Sequence, residues 1–173
     1  TEVVGQYARM AAVGVQYRSD VSSSAKRECT VIAVRVLNGS GAEAGVFDIS
    51  ESIVIEVDYE INDRLHGFQL AMTVTRNMVD VLHTFDTDQL GFSELSLPGI
   101  YRAEHCIPPM FLKAGSYSVS LAHGTPSKLI QELQSVVQFD VEENFINGSD
   151  KGYRRERPGL VISPGVWISK RLT

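Results

Sequence analysis

The chain has 173 residues, 43% of them hydrophobic, with 16 basic against 21 acidic side chains and a net charge of −5. That is enough for one domain with a real core, while the acidic balance supplies no positive stripe for a phosphate backbone and so excludes nucleic acid as a partner. No run approaches the roughly 18 apolar residues of a membrane span, and the N-terminus has neither a basic n-region with an apolar h-region nor an initiator Met. The chain is therefore expected to be a piece of a longer soluble protein.

Residues 1–27 mix small and polar side chains; Ser22-Ser23-Ser24-Ala25-Lys26 has a linker's composition, and an edge strand fits Ala12 to Tyr17. From Cys29 the texture changes. Ile32, Val34 and Val36 alternate with Ala33 and Arg35, the period-two mark of a half-buried strand, and Asn38-Gly39-Ser40-Gly41 turns the chain. Ile53, Ile55, Val57, Tyr59 and Ile61 then form an apolar face, with Glu56, Asp58 and Glu60 pointing away from it. Phe68, Leu70, Met72 and Val74 repeat the pattern with Gln69, Ala71, Thr73 and Thr75 outward, and Val79 to Asp86 returns after Arg76-Asn77 as the second half of a hairpin.

Leu97-Pro98-Gly99 leads into Ile100 to Ile107, which Pro108-Pro109 ends because neither proline can donate to a ladder. Gly115 opens the next strand, with Tyr117, Val119 and Leu121 inward and Ser116, Ser118 and Ser120 outward. Residues 127–134 read as a helical turn or an irregular link, and Val137, Phe139 and Val141 restore a strand. A polar stretch from Asn144 to Pro158 precedes a last apolar segment, Leu160 to Ile168. About eight or nine short strands with little helix predict an all-β fold, a two-sheet antiparallel β-sandwich. Residues 1–27 would be a linker or edge segment and 28–173 the domain, closing on a strand over 159–168. Cys29 and Cys106 are too few for a disulfide framework and are expected to be free, buried thiols, which favours the cytoplasm.

The series Leu112-x-x-Gly115-x-Tyr117, then Phe139-x-Val141, then Gly159-Leu160 with Trp167, resembles in order and spacing the C-terminal domain of Wzt, the ATP-binding subunit of the ABC transporter that exports bacterial O-polysaccharide. Ile32 to Leu37, Glu51-Ser-Ile53 and Phe68 to Phe85 fit its earlier strands, so the likeness covers roughly residues 28 to 168. The resemblance implies an immunoglobulin-like or jelly-roll sandwich acting as a non-catalytic, cytoplasmic carbohydrate-binding module. Such a module recognises the finished, often end-modified, O-antigen glycan on its lipid carrier. It also implies a homodimer formed by exchange of the C-terminal strand, and a transmembrane exporter subunit reached through an ATPase domain. This chain has no Gly-x-x-x-x-Gly-Lys-Ser/Thr loop, so that ATPase domain is expected upstream of Thr1. No cofactor and no metal are implied.

A polysaccharide binder needs hydroxyl-matching donors and acceptors on a rigid sheet. Gln69, Thr73 and Thr75 on one strand and Ser116, Ser118 and Ser120 on another supply them, and Arg102 and Glu104 join if Tyr101, Ala103 and His105 face inward. The site expected from sequence is therefore Gln69, Thr73, Thr75, Arg102, Glu104, Ser118 and Ser120, set against the alternative that these are ordinary solvated sheet faces. Glu56, Asp58 and Glu60 raise the question of an inverting glycosidase, since alternate strand residues lie about 6.6–6.8 Å apart, inside that mechanism's window of roughly 6.5–9.5 Å. Every outward acidic pair meets that criterion, so a solvated acidic face is the stronger reading.

His66, His83, His105 and His123 lack metal-ligand spacing, and no Gly-x-Ser-x-Gly elbow or catalytic cysteine signature occurs. Arg154-Arg155-Glu156-Arg157 reads as a solvated charge run, Tyr117 as a packing corner, and Trp167 as buried in a sheet or a dimer seam. The alternative function is an immunoglobulin-like protein–protein interaction module.

Overall fold

The computed structural model describes residues 14–19, 27–90, 95–143, 159–162 and 168–170. Among them the elements run β1 (Gln16–Arg18), β2 (Cys29–Asn38), β3 (Val46–Asp48), β4 (Ile53–Ile61), β5 (Leu65–His66), β6 (Gln69–Arg76), β7 (Val79–Phe85), α1 (Thr87–Leu90), β8 (Leu95–Ser96), β9 (Gly99–Ile107), β10 (Gly115–Thr125) and β11 (Lys128–Glu142). A four-stranded sheet, β1-β2-β4-β9, faces a five-stranded one, β3-β11-β10-β6-β7, while β5 and β8 pair separately. Within these sheets neighbours are antiparallel except β3, which runs parallel to β11.

Period-two alternation builds this sandwich. Ile53, Ile55, Val57, Tyr59 and Ile61 of β4 are all buried, as are Leu70, Met72 and Val74 of β6, Tyr117, Val119 and Leu121 of β10, and Val137, Phe139 and Val141 of β11. They meet in one core, where each large side chain contributes on the order of 1.5–3 kcal/mol by leaving water. Asn77 and Met78, both at positive φ, close the β6–β7 hairpin.

Three local expectations change. In β2 the register breaks between Val31 and Ala33. This bulge shifts the phase, so Cys29, Val31, Val34 and Val36 are fully buried and Ile32 only half-buried. Residues 127–134 are neither helix nor irregular link. β11 runs on from Lys128 opposite Thr125, with Gln131 opposite His123 and Leu133 opposite Leu121. The weak helix preference of Leu, Gln and Glu loses to a ladder that a tight two-residue turn brings into register. The thiols also differ. Cys29 is wholly buried and its pKa is pushed up to about 12 by burial, whereas Cys106 is exposed at the far end of β9. Both are free.

Tyr117 is the packing corner of β10. Its hydroxyl donates to the Lys113 carbonyl at 2.7 Å, and its ring stacks on Phe139 with centroids 5.5 Å apart. Gly115, two residues earlier, has φ +153, and a Cβ there would lie 2.7 Å from the Arg76 guanidinium that reaches over the Tyr117 ring. Tyr117→Phe should therefore cost about 1 kcal/mol in urea unfolding by removing one buried hydrogen bond. No loss would mean that the hydroxyl does not fasten the corner.

Of the terminal segment, Val161 forms an isolated antiparallel bridge with Leu112, and the Ile162 amide donates to the Phe111 carbonyl at 2.9 Å. Residues 159–162 thus rest on the β9–β10 connection. Ser22 to Lys26, Arg154 to Arg157 and Trp167 lie outside the described residues, as do residues 163–167 of the expected last strand.

Candidate functional site

Burial of Tyr117, Val119 and Leu121 forces Ser116, Ser118 and Ser120 onto the outer face of the five-stranded sheet. Register then decides their neighbours. Ser118 lies between Thr75 of β6 and Gln138 of β11, and Ser120 is opposite Thr73. β7 adds Asp80 opposite Thr75 and His83 opposite Thr73.

These residues shape a groove of about 750 Å³ whose lining includes Thr75, Asp80, Ser118, Ser120, Gln134 and Gln138. Some of its groups are already engaged. The Thr75 hydroxyl donates to Asp80 Oδ1 at 3.2 Å, Thr73 Oγ1 and His83 Nδ1 are 2.9 Å apart, and Ser120 Oγ donates to Gln134 Oε1 at 3.3 Å while accepting from the Ser135 amide at 2.9 Å. The Ser118 hydroxyl and the Gln138 amide make no side-chain hydrogen bond among the described residues. The groove thus offers hydroxyl, amide and carboxylate groups on a rigid floor, the inventory that pairs with polyhydroxylated ligands.

Placement divides the seven residues expected from sequence. Thr75, Ser118 and Ser120 line the groove, with Thr73 beside it. Gln69 stands six residues from Thr75 along the same strand, about 20 Å away, where its amide donates to Thr87 Oγ1 at 3.2 Å. Arg102 and Glu104 belong to β9, hence to the other sheet and the opposite outer face of the sandwich. Ala103 and His105 are half-buried, on the phase opposite Arg102 and Glu104, whereas Tyr101 stacks on Tyr59 at 5.6 Å yet remains 36% exposed. Sequence reasoning missed Asp80, Gln134 and Gln138. A signal existed for Asp80 in the outward phase of the β7 hairpin arm and for Gln138 between inward Val137 and Phe139, while Gln134 was hidden by the helical reading of 127–134.

On the four-stranded sheet the acidic row is solvated only at Glu60, which is exposed, while Glu56 and Asp58 are held by arginines. Arg35 Nε bonds Glu56 Oε1 at 2.6 Å and its Nη2 reaches Asp58; Arg102 holds Glu56 at 2.9 Å and Asp58 at 2.7 Å. Glu56 is only 6% exposed, so the two arginines replace the water its charge needs. Hydrogen bonds from Arg102, then Arg35, hold the Asp58 carboxyl below the usual carboxylate range. That is the opposite of what a general acid requires. A second hollow of about 330 Å³ opens beside β7 and β9, floored by core residues such as Val57 and Met72 and rimmed by Asp86, Arg102 and His105. Burial raises the pKa of Asp86 and lowers that of His105, so this hollow favours their neutral forms. Among the described residues, no three His, Cys, Asp or Glu side chains gather to hold a metal, and no helix is long and apolar enough to cross a membrane.

Fold and face together define an all-β sandwich domain with one open, polar, groove-bearing sheet. The chain belongs to the Wzt C-terminal domain family, which matches residues 20–155. Among solved structures it is similar to one described as the crystal structure of the C-terminal domain of Wzt, with a TM-score of 0.65 at 8% identity over 89% of this chain and 91% of that one. At that identity the likeness speaks for the fold. No curated protein sequence matches the chain.

Proposed function

We propose that this domain is a non-catalytic carbohydrate-binding module that recognises bacterial O-antigen polysaccharide for export by an ABC transporter. The observation that supports this reading is the hydroxyl-, amide- and carboxylate-lined groove on the outer face of the five-stranded sheet, within a domain of the Wzt C-terminal family. Recognition would work by hydrogen bonds from Thr75, Ser118, Ser120 and Gln138 to sugar hydroxyls, with Asp80 accepting from one of them. In the parent transporter the domain would sit at the cytoplasmic face of the inner membrane, joined to the transmembrane subunit through an ATPase domain. Isothermal calorimetry with O-polysaccharide from the encoding bacterium tests it: saturable binding is expected, and none at high polymer concentration would refute it.

One observation favours a second reading, an immunoglobulin-like protein interaction module. β9 pairs on one side only among the described residues, and its Ile100 is 74% exposed. An open edge strand is a template for adding a partner's strand. A module of that kind would bind protein and ignore the polysaccharide.

Homodimerisation by exchange of the terminal segment belongs to the first proposal. The contacts Val161 and Ile162 make with Leu112 and Phe111 are short and local, so a second copy can supply the same segment. Deleting residues 159–173 should leave a monomeric or poorly soluble product in light scattering, and a stable, unaltered dimer would count against exchange.

A further inference from the structure

We propose that the outer face of the five-stranded sheet carries a second, aromatic subsite at Phe85 and His83, so that its ligand is a stretch of glycan several sugars long and not a single terminal residue. This inference rests on the carbohydrate-binding reading above and specifies how the polymer lies.

Phe85 is the last residue of β7 and stands opposite Ala71, on the outward side of the sheet. The residue is 37% exposed, with the polar side chains of Gln69 and Thr73 of β6 on the same face. The row it begins continues through Ala71 of β6 and Ala122 of β10 to Glu132 of β11. Ala71 is buried at 7% exposure, so the apolar surface left open in this row is Phe85 itself and the half-buried Ala122, and the row ends at the exposed Glu132 carboxylate.

One row along, His83 packs edge-on against Phe85, with centroids 5.1 Å apart and planes at 83°, and its Nδ1 is tied to Thr73 Oγ1 at 2.9 Å. The aromatic pair is therefore held in place before any ligand arrives, which lowers the ordering cost of binding. A fixed aromatic pair with the half-buried Ala122 methyl and the Glu132 carboxylate in the same row matches a pyranose: an apolar C–H face bounded by hydroxyls.

This subsite is separate from the groove. Ala71 and Thr75 are four residues apart on β6, about 13 Å at the strand rise. One pyranose ring is far shorter and cannot touch both. A glycan lying along β6 spans them, with Thr73 and Ser120 between, and its polar edge falls on Thr75, Asp80 and Ser118 while a sugar further along covers Phe85.

The experiment uses O-polysaccharide of the encoding bacterium together with its mono-, di-, tetra- and hexasaccharide hydrolysis fragments, titrated by calorimetry. Affinity should rise at least about tenfold from the monosaccharide to the longer fragments and then level off. Phe85→Ala should weaken the long fragments by about tenfold while leaving the monosaccharide unchanged, and Phe85→Trp should restore the loss. Circular dichroism and a thermal melt establish that each variant is folded. A monosaccharide that binds as tightly as the polymer overturns the inference, as does full polymer affinity in Phe85→Ala; in both cases carbohydrate binding itself stands. If wild type binds neither polymer nor fragment, the carbohydrate reading falls and takes this inference with it.

Discussion

Replacing Asp80 and Gln138 by alanine together is expected to lower O-polysaccharide affinity by about 30-fold or more while the fold stays intact. Asp80 is exposed and accepts a 3.2 Å hydrogen bond from Thr75 at one carboxylate oxygen; the Gln138 amide makes no side-chain bond among the described residues, so both have capacity for a ligand. A lost neutral hydrogen bond costs about 0.5–1.5 kcal/mol and one to a charged group about 1.5–3, which together correspond to a factor of about 30 to 2000 in Kd. Glu104→Ala is the matched control. It alters an exposed carboxylate on β9, on the opposite outer face, and should leave Kd unchanged. Calorimetry on both variants decides the matter: full affinity in the double variant, or a loss in Glu104→Ala, moves the site off the five-stranded sheet.

The largest stability effect is expected from Arg35→Ala. Arg35 bonds both Glu56 and Asp58, and the Glu56 side chain it covers is 7% exposed. Removing one partner of a buried ion pair leaves an uncompensated charge, at a cost of about 3 kcal/mol or more in urea unfolding. Arg102→Ala should cost distinctly less, because its side chain is 52% exposed and water can take its place.

The network also sets an acid limb. The folded pKa of Asp58 is depressed by Arg102 and Arg35, so its contribution is present above the unfolded carboxylate range and is lost as pH falls through the folded value. Wild type should therefore lose stability below about pH 4, and the loss below that pH should be shallower in Arg35→Ala. A variant as stable as wild type at neutral pH, with an identical acid limb, would show that the arginine contributes nothing.

Much of the fold was legible because burial imposes a period of two. The inward set of β4, from Ile53 to Ile61, and the inward set of β10, from Tyr117 to Leu121, follow directly from it. Legibility failed where the period is broken by geometry that sequence does not announce. The bulge at Val31–Ala33 exchanged Ile32 for Val31 in the core, and the register shift in the β10–β11 hairpin hid a strand behind helix-prone residues. The candidate site was legible one strand at a time. Outward Thr75, Ser118 and Ser120 could be found by alternation, yet nothing in the order of residues says that Arg102 and Glu104 belong to the other sheet. Strand order is a long-range property, fixed by which edges pair, and it alone brings Asp80 and Gln138 beside Ser118. The motif Leu112-x-x-Gly115-x-Tyr117 with Phe139 and Val141 turned out to mark the scaffold: Leu112, Tyr117, Phe139 and Val141 are all buried.

The most direct test is a titration of isotopically labelled domain with O-polysaccharide from the encoding bacterium, followed through backbone amide shifts. Saturable shifts concentrated on Thr75, Asp80, Ser118, Ser120 and Gln138 are predicted, with β2, β4 and β9 silent. Shifts confined to β2, β4 and β9, or no saturable change at any residue, would contradict the account.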